Sequence, residues 1–358
     1  MAIMDETLVY VGTYTFEGGE GIYIYHMDPD SGRLKNVGKV KNLVNPSFLK
    51  VNAEKRSLYA VNEFSSFDRD GSGAVSAFLI EEDGTLTFLN SRSSGGAGPC
   101  YVSIDRLGRY VFVANYVGGS ISVLPISGDG SLEKATEVIR HKGSSINLMR
   151  QEAPHPHSII IDPPNKHVYV PDLGLDKIMI YRFDSSSGRL EPSDQPWVAT
   201  KPGSGPRHIT FHPGGKFVYV INELDSTIVA YKYDGGRLEA LQTISALPSD
   251  FRGENYSADI HVHPSGKFLY GSNRGHDSIV VYRVDEESGT LKWIGHEYTR
   301  GRTPRNFAID PSGRFLLVAN QRSNKIVSFL VDQETGALKP LGHEVHVPSP
   351  ACVEISPL

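Results

Sequence analysis

The sequence is poor in cysteine, and Cys100 and Cys352 are the only thiols in its 358 residues. Two cysteines rule out a disulfide framework and a thiolate-ligated metal site. The chain also lacks an excess of positive charge, because its formal net charge is −5. A general nucleic-acid binder, which needs a strongly basic surface, is therefore excluded.

Membrane and export signals are lacking as well. No apolar run approaches the roughly 18 residues that a membrane helix needs. The opening residues MAIMDETLVYVG have neither the basic nor the continuous apolar region of a signal peptide. We therefore predict a cytoplasmic protein without nucleic-acid or membrane partners. We expect it to be a monomer or a weak homo-oligomer.

Common catalytic and metal-binding motifs are absent too. The chain contains no Gly-x-Ser-x-Gly elbow and no phosphate-binding P-loop. His155 and His157 form one His-x-His pair and His261 and His263 another, but neither has an obvious third ligand at metal-site spacing. We therefore predict that the protein requires no metal and no other cofactor.

The dominant feature that is present is an internal repeat of about 50 residues. Each copy contains an apolar strand, a tight turn with Pro, Gly or Lys, and a second apolar strand that ends in Asn or Asp. The copies are PSFLKVNAEKRSLYAVN (46–62), PCYVSIDRLGRYVFVAN (99–115), PHSIIIDPPNKHVYVPD (156–172), PRHITFHPGGKFVYVIN (206–222), SADIHVHPSGKFLYGSN (257–273) and PRNFAIDPSGRFLLVAN (304–320). A third strand and a Gly-x-Leu turn follow each copy, as is typical of consecutive hairpins. A fourth strand is expected after that turn, so each repeat predicts four strands.

A seventh copy is divided between the two ends of the chain. The N-terminal segment supplies TLVYVGTY as a second strand and GIYIYHM as a third, with no first strand before them. The segment PACVEISPL at 350–358 has the pattern of the missing strand. Pairing of the two chain ends closes the ring and covers the edge that the divided copy would otherwise expose, whereas an open solenoid does not pair its ends. We predict an all-β, seven-bladed β-propeller with four antiparallel strands per blade. Residues 1–358 form it as a single domain, closed by pairing of the C-terminal strand with the N-terminal blade.

The repeat also predicts where a binding site lies. In each blade the first strand runs down beside the central channel and the second returns, so the start of one and the end of the other share a mouth of the channel. The residues just after the first position of the repeat unit are Ser47, Cys100, His157, Arg207, Ala258, Arg305 and Ala351. The residues just after its last position are Tyr14, Glu63, Tyr116, Leu173, Glu223, Arg274 and Gln321. These two sets of equivalent positions form two rings around the mouth of the channel. Charged residues depart from the repeat chiefly in these rings, which indicates a functional site there.

Blades four to seven bring arginines, histidines and a carboxylate towards this mouth. The candidates for substrate binding near it are Glu63, His155, Asp172, His208, Arg305, Asn306 and Gln321. The longest insertion, HKGSSINLMRQEAPHPH, precedes the first strand of blade four and adds Gln151. Such a set suits an anionic, oxygen-rich small molecule, because arginine binds a carboxylate or phosphate through two parallel hydrogen bonds. For Arg207, Glu223 and Arg274 the alternative is an ion-pair network that braces the ring.

The chain resembles the propeller-type lactonases, a family that includes bacterial 6-phosphogluconolactonases and the fungal carboxy-cis,cis-muconate cyclase. The segments that carry the resemblance are RQEAPHPHSI (150–159), PDLGLDKI (171–178), GPRHITFHP (205–213), NELDSTI (222–228), ADIHVHPSGKFLYGSNRGHDSI (258–279) and PRNFAIDPSGRFLLVANQ (304–321). Transferred motif by motif, the resemblance implies four catalytic residues: His157, Arg207, Glu223 and Arg274. It also implies a seven-bladed propeller without an obligatory metal. His155, in the same motif as His157, stays an alternative.

The resemblance implies hydrolysis of a sugar lactone, with 6-phospho-D-glucono-1,5-lactone as the expected substrate. Glu223 or His157 is expected to act as general base on a water molecule. Arg207 is expected to stabilise the oxyanion. Two alternatives stay open at this point: a muconate-type cyclase acting on a polycarboxylate, and a non-catalytic propeller that binds a ligand or a protein.

Overall fold

The computed structural model describes residues 7–357, and in this range 28 strands form seven four-stranded antiparallel sheets arranged as the blades of a ring. The predicted seven-bladed β-propeller is confirmed. The signal-peptide prediction rests partly on residues 1–6, which lie outside the described residues.

The strands follow the chain blade by blade. They are β1 (Thr7–Thr13), β2 (Ile22–Met27) and β3 (Leu34–Val40) in blade 1; β4 (Leu49–Asn52), β5 (Ser57–Asn62), β6 (Ala74–Ile80) and β7 (Leu86–Ser93) in blade 2; β8 (Pro99–Ile104), β9 (Tyr110–Asn115), β10 (Ser120–Pro125) and β11 (Glu137–Arg140) in blade 3; β12 (Ile160–Ile161), β13 (His167–Asp172), β14 (Lys177–Asp184) and β15 (Arg189–Ala199) in blade 4; β16 (Pro206–Phe211), β17 (Phe217–Asn222), β18 (Thr227–Asp234) and β19 (Arg237–Ser245) in blade 5; β20 (Tyr256–Val262), β21 (Phe268–Arg274), β22 (Ser278–Val284) and β23 (Leu291–Tyr298) in blade 6; and β24 (Pro304–Ile309), β25 (Phe315–Asn320), β26 (Lys325–Val331) and β27 (Leu338–His346) in blade 7.

The last strand, β28 (Pro350–Pro357), closes the ring as the innermost strand of blade 1. It runs antiparallel to β1, with Tyr10 opposite Glu354 and Gly12 opposite Cys352. The register shifts by a bulge between Gly12 and Thr13, at the end of β1 that faces the channel mouth. The closure predicted from the divided repeat is therefore confirmed.

Apolar side chains fill the spaces between the blades. Within residues 7–357 there are seven buried clusters, and each combines residues of two neighbouring blades. In the cluster between blades 7 and 1, for example, Val9 and Tyr25 pack with Phe315 and Leu317. Every blade thus buries both of its faces, which is how one ring accommodates a chain longer than a single core allows.

The abundant tyrosines and glycines of the repeat have a common role between blades. The Tyr10 hydroxyl donates a hydrogen bond of 3.0 Å to the carbonyl oxygen of Gly84, in the Gly-x-Leu turn of the next blade. Gly84 has a φ of +80°, a left-handed conformation that favours glycine. The same bond recurs between Tyr59 and Gly130, Tyr219 and Gly289, and Tyr270 and Gly336. Each such bond ties the second strand of one blade to the outer turn of its neighbour.

Blade 4 departs from the predicted pattern. The sequence repeat predicts a first strand that starts at Pro156, whereas β12 covers only Ile160 and Ile161. Pro154 and Pro156 have no backbone N–H to donate to a neighbouring strand, so regular pairing cannot extend through them. A single bridge joins Pro156 to Asp172, and the His157 N–H donates to the Pro171 carbonyl at 3.1 Å. His157 is therefore fixed beside the channel by its backbone.

Helix is rare in the described part of the chain, where two three-residue 3-10 helices occur, Thr15–Glu17 and Gln321–Ser323. Neither they nor any other described segment forms a helix with the length and apolar character needed to cross a membrane.

Candidate active site

A cavity of about 200 Å³ opens at the mouth of the channel where the first strands begin and the second strands end. Its lining comes from blades 2 to 7 and from the loop before β12. The lining residues are Glu63, Cys100, Tyr116, Arg150, His157, Glu223, Arg274 and Arg305. Arg207 lies directly below, in a narrower space that His157 and Arg305 also line. The structure thus brings together the four residues predicted to be catalytic.

Glu223, which follows β17, is the centre of this group. Its Oε1 lies 2.5 Å from Arg150 Nη2, and its Oε2 lies 2.9 Å from Arg207 Nε and 2.8 Å from Arg274 Nη2. The Glu223 side chain is only 5% exposed. One buried carboxylate therefore holds three guanidinium groups from two blades and a loop.

These cations determine the charge of Glu223. Burial alone would raise the pKa of its carboxyl, but Arg274, Arg207 and Arg150 together lower that pKa well below the usual range. Both carboxylate oxygens are already occupied by guanidinium groups. Glu223 is thus a permanent anion that organises the arginines, with little capacity to accept a proton from water.

Arg207 is the most deeply buried of the arginines, with 1% of its surface exposed. Its Nη1 donates to the Ala258 carbonyl at 2.5 Å and lies 3.1 Å from His208 Nε2. Burial, with Arg274 and Arg305 nearby, lowers the pKa of Arg207 to about 9, which still leaves it protonated at neutral pH. No hydrogen bond from Nη2 to another described residue occurs, so this group is free to bind a ligand oxygen.

His157 is a buried imidazole in contact with the same cavity. Burial, and then the charges of Arg207, His208 and Arg305, keep its pKa well below the ordinary value. The ring is therefore neutral at neutral pH and carries one unprotonated nitrogen. Its Nδ1 lies 3.8 Å from Cys100 Sγ, a weak contact at most.

Arg305 and Glu63 form the opposite wall of the cavity. The Arg305 guanidinium lies over the Tyr14 ring at 5.2 Å, and no ion pair joins it to a carboxylate of residues 7–357. Glu63 accepts hydrogen bonds from the hydroxyls of Tyr14, at 2.8 Å, and Ser47. With Arg150, Arg207 and Arg274, the site has four arginines against two glutamates, an excess of two positive charges.

Several predicted substrate-binding residues lie away from the 200 Å³ cavity at the channel mouth, called the upper cavity below. Gln151 is buried and donates to the Leu173 carbonyl at 2.8 Å, which orders the loop before β12. Asp172 accepts a bond from the His155 N–H at 2.7 Å and lies 2.6 Å from His141 Nδ1. Gln321 donates to Glu17 at 2.9 Å in the surface 3-10 helix region. The polar groups of these three side chains therefore already have hydrogen-bond partners within the protein.

The two histidines of the PHPH motif have different surroundings. His155 stacks on Tyr116, with ring centroids 4.5 Å apart, and bonds the Tyr116 carbonyl and Glu152. It does not line the cavity, whereas His157 does. His208 and Asn306 lie deeper and line the narrower space around Arg207.

Sequence reasoning missed Arg150, which reaches Glu223 from the loop before β12. The unusual length of that loop is the signal for it, but the sequence prediction names the adjacent Gln151 instead. Tyr116 and Cys100 line the cavity at ring positions. Neither is among the predicted site residues.

Within residues 7–357 no group of three or more His, Cys, Asp or Glu side chains is arranged to hold a metal ion. His263, one member of a His-x-His pair, faces the Gly313 carbonyl with its Nε2 at 2.9 Å.

Comparison with known proteins gives a consistent picture. Residues 8–355 match the family described as "Lactonase, 7-bladed beta-propeller". The 6-phosphogluconolactonase of Bacillus subtilis is 38% identical over 310 residues, 86% of this chain and 86% of that protein. The periplasmic gluconolactonase of Pseudomonas aeruginosa superposes with a TM-score of 0.92 at 35% identity, over 98% of this chain and 99% of that one. A protein of Bacteroides fragilis does so with a TM-score of 0.92 at 38% identity, over 99% of both chains. The comparisons support neither a muconate-type cyclase nor a non-catalytic propeller.

Proposed function

This chain belongs to the seven-bladed β-propeller lactonases, and from that membership we propose that it hydrolyses a sugar lactone, 6-phospho-D-glucono-1,5-lactone. The observation that carries the choice of substrate is the excess of two positive charges at the site. A phosphate dianion matches that excess, and Arg305 is the cation of the four that forms no ion pair with a carboxylate of the described chain. A cytoplasmic location and a monomeric or weakly associated state remain part of the proposal.

In the proposed mechanism His157 is the general base. It accepts a proton from water as the water oxygen forms a bond to the lactone carbonyl carbon. The carbonyl oxygen becomes an oxyanion, which Arg207 Nη2 stabilises. When this intermediate collapses, the bond to the ring oxygen breaks and protonated His157 returns the proton to that oxygen. The product is a hydroxy acid.

Of the two bases considered from the sequence, Glu223 is the weaker candidate. Three guanidinium groups surround its carboxylate and lower its pKa far below that of a useful base. Its role in the proposal is to hold Arg207 and Arg274 in place. The ion-pair network that braces the ring then also holds the arginines of the functional site in position.

We expect replacement of Arg207 by alanine to lower kcat by about 10²- to 10³-fold, the usual effect of losing one oxyanion donor. Stopped-flow hydrolysis of freshly prepared 6-phosphogluconolactone, with spontaneous opening subtracted, measures this. Arg207→Lys is the companion variant, because it keeps the charge beside Glu223 but loses the second donor. Arg182→Ala, at an exposed ion pair with Glu191, is the control. Full activity of a folded Arg207→Lys protein would exclude this oxyanion role.

Arg305 is expected to determine the preference for a phosphorylated substrate. Replacing Arg305 by alanine should raise KM for the phosphorylated lactone by about 10- to 100-fold, the value of one or two charge-assisted hydrogen bonds. KM for unphosphorylated gluconolactone should change little. Steady-state kinetics with both lactones test this, and an equal rise for the two would contradict phosphate binding by Arg305.

A further inference from the structure

A chain of polar contacts continues downward from Arg207, away from the cavity. Arg207 Nη1 lies 3.1 Å from His208 Nε2, and His208 Nδ1 lies 2.7 Å from Asp259 Oδ1. All three residues are at most 4% exposed. The catalytic scheme above leaves His208 and Asp259 without a role.

The geometry selects one tautomer of His208. Ionised Asp259 can only accept hydrogen bonds, so the His208 nitrogen that faces it, Nδ1, must carry the proton. The neutral ring then presents the lone pair of Nε2 to Arg207, whose N–H groups can only donate. Burial, together with the charge of Arg207, lowers the pKa of His208 to about 4, so the ring is neutral at neutral pH. Every contact in the chain thus joins a donor to an acceptor.

Asp259 is itself fixed on both oxygens. Its Oδ1 also accepts a hydrogen bond from the Ile260 N–H, at 3.0 Å. Its Oδ2 lies 2.6 Å from Asn306 Nδ2, 3.2 Å from the Phe307 N–H and 3.0 Å from His261 Nε2. The carboxylate therefore has little freedom to rotate away from His208.

We propose that Asp259 is a positioning residue for lactone hydrolysis, which sets the tautomer of His208 and through it the orientation of the Arg207 guanidinium. The inference rests on the proposed role of Arg207 as oxyanion donor. Asp259 and His208 do not line the upper cavity, and the contact of His208 Nε2 with Arg207 Nη1 is the polar contact that joins them to the proposed oxyanion donor.

Replacement of Asp259 by asparagine separates this role from simple packing. The new amide has one oxygen, and three donors, including the fixed Phe307 N–H, already converge on the Oδ2 side. The amide oxygen should therefore take that side, so that the amide nitrogen faces His208 and the Ile260 N–H loses its acceptor. His208 can adapt only by moving its proton to Nε2, which then opposes the N–H groups of Arg207.

The experiment combines nitrogen NMR of histidine-labelled protein with kinetics. In Asp259→Asn we expect the ¹⁵N shifts of His208 to change from the Nδ1–H to the Nε2–H pattern. We also expect kcat to fall about 10- to 100-fold at unchanged KM, as for a misplaced catalytic group. Asp162→Asn is the matched control, because Asp162 pairs with His167 Nδ1 at 3.0 Å but has no link to an arginine. An unchanged His208 tautomer in Asp259→Asn would overturn the proposal.

His208 variants provide a second test that does not depend on folding of Asp259→Asn. Glutamine can donate to Asp259 and accept from Arg207 at once, whereas phenylalanine can do neither, so kcat of His208→Phe should be about tenfold or more below that of His208→Gln. Equal kcat in the two variants would contradict the link. If Arg207→Lys proves fully active while the tautomer of His208 changes as expected, the oxyanion role fails and the Asp259–His208 contact stands.

Discussion

Replacement of His157 by phenylalanine is expected to lower kcat for lactone hydrolysis by about 10²- to 10⁴-fold, the usual effect of losing a general base. Phenylalanine preserves an aromatic ring at a position that is packed edge-on against Tyr116 and His208, with centroids 5.3 Å from each. The fold should therefore survive, because an aromatic ring, slightly larger than imidazole, still packs against these neighbours after the ring nitrogens are removed. Stopped-flow kinetics with the phosphorylated lactone, after subtraction of spontaneous opening, measure the loss.

The pH dependence identifies the base independently. Because burial and nearby cations lower the pKa of His157, the ring stays unprotonated as pH falls through about 6.5, the ordinary histidine value. The rate should therefore show no inflection near 6.5 and should fall only at distinctly lower pH. His157→Phe should lack that acid limb. Glu63→Gln is the informative comparison: loss of activity there, with His157→Phe active, would identify Glu63 as the base.

Replacement of Glu223 by glutamine is expected to lower the free energy of unfolding by about 3–5 kcal/mol, since removing one partner of a buried ion pair leaves uncompensated charge. Here Arg150, Arg207 and Arg274 all lose their shared anion. Urea unfolding of wild type and variant, with comparison of midpoints and slopes, measures the change.

Two further observations separate this effect from a general loss of packing. Glu344→Gln, at a surface ion pair with Lys325 whose glutamate is 57% exposed, should cost less than about 1 kcal/mol. Added phosphate should stabilise Glu223→Gln more than wild type, because an anion that binds the folded state can replace the missing charge. A variant as stable as wild type without phosphate would show that the arginines do not depend on Glu223.

The fold was predictable because several independent features of the repeat indicate the same architecture. Strand pattern, Gly-x-Leu turn and the divided seventh copy all require the same closed ring, and the β1–β28 pairing confirms it. The repeat also predicts which positions reach the channel mouth. His157, Glu223 and Arg274 line the cavity for that reason, although their catalytic roles stay predictions.

What the sequence could not provide is the partner of each side chain. Asp172 and Gln151 have suitable chemistry and location, yet His141 and Leu173 occupy them. Arg150 lies on a loop outside the repeat, so no periodic argument could place its guanidinium on Glu223. The prolines near His157 shorten β12 in a way that the repeat alone does not predict. The repeat period predicts the position of a residue in its blade. It does not predict the side-chain contacts, because these depend on packing between segments that do not repeat.

The pairing of β28 with β1 has a consequence for the order of biosynthesis. The ribosome makes β1 first and its inner neighbour β28 last, after every other described strand. Until then blade 1 has three strands, and β1 presents unpaired backbone groups to other chains. The nascent protein therefore cannot complete its ring before synthesis reaches residues 350–357. A chain truncated before these residues would keep β1 as an unpaired inner edge, which favours association with other chains.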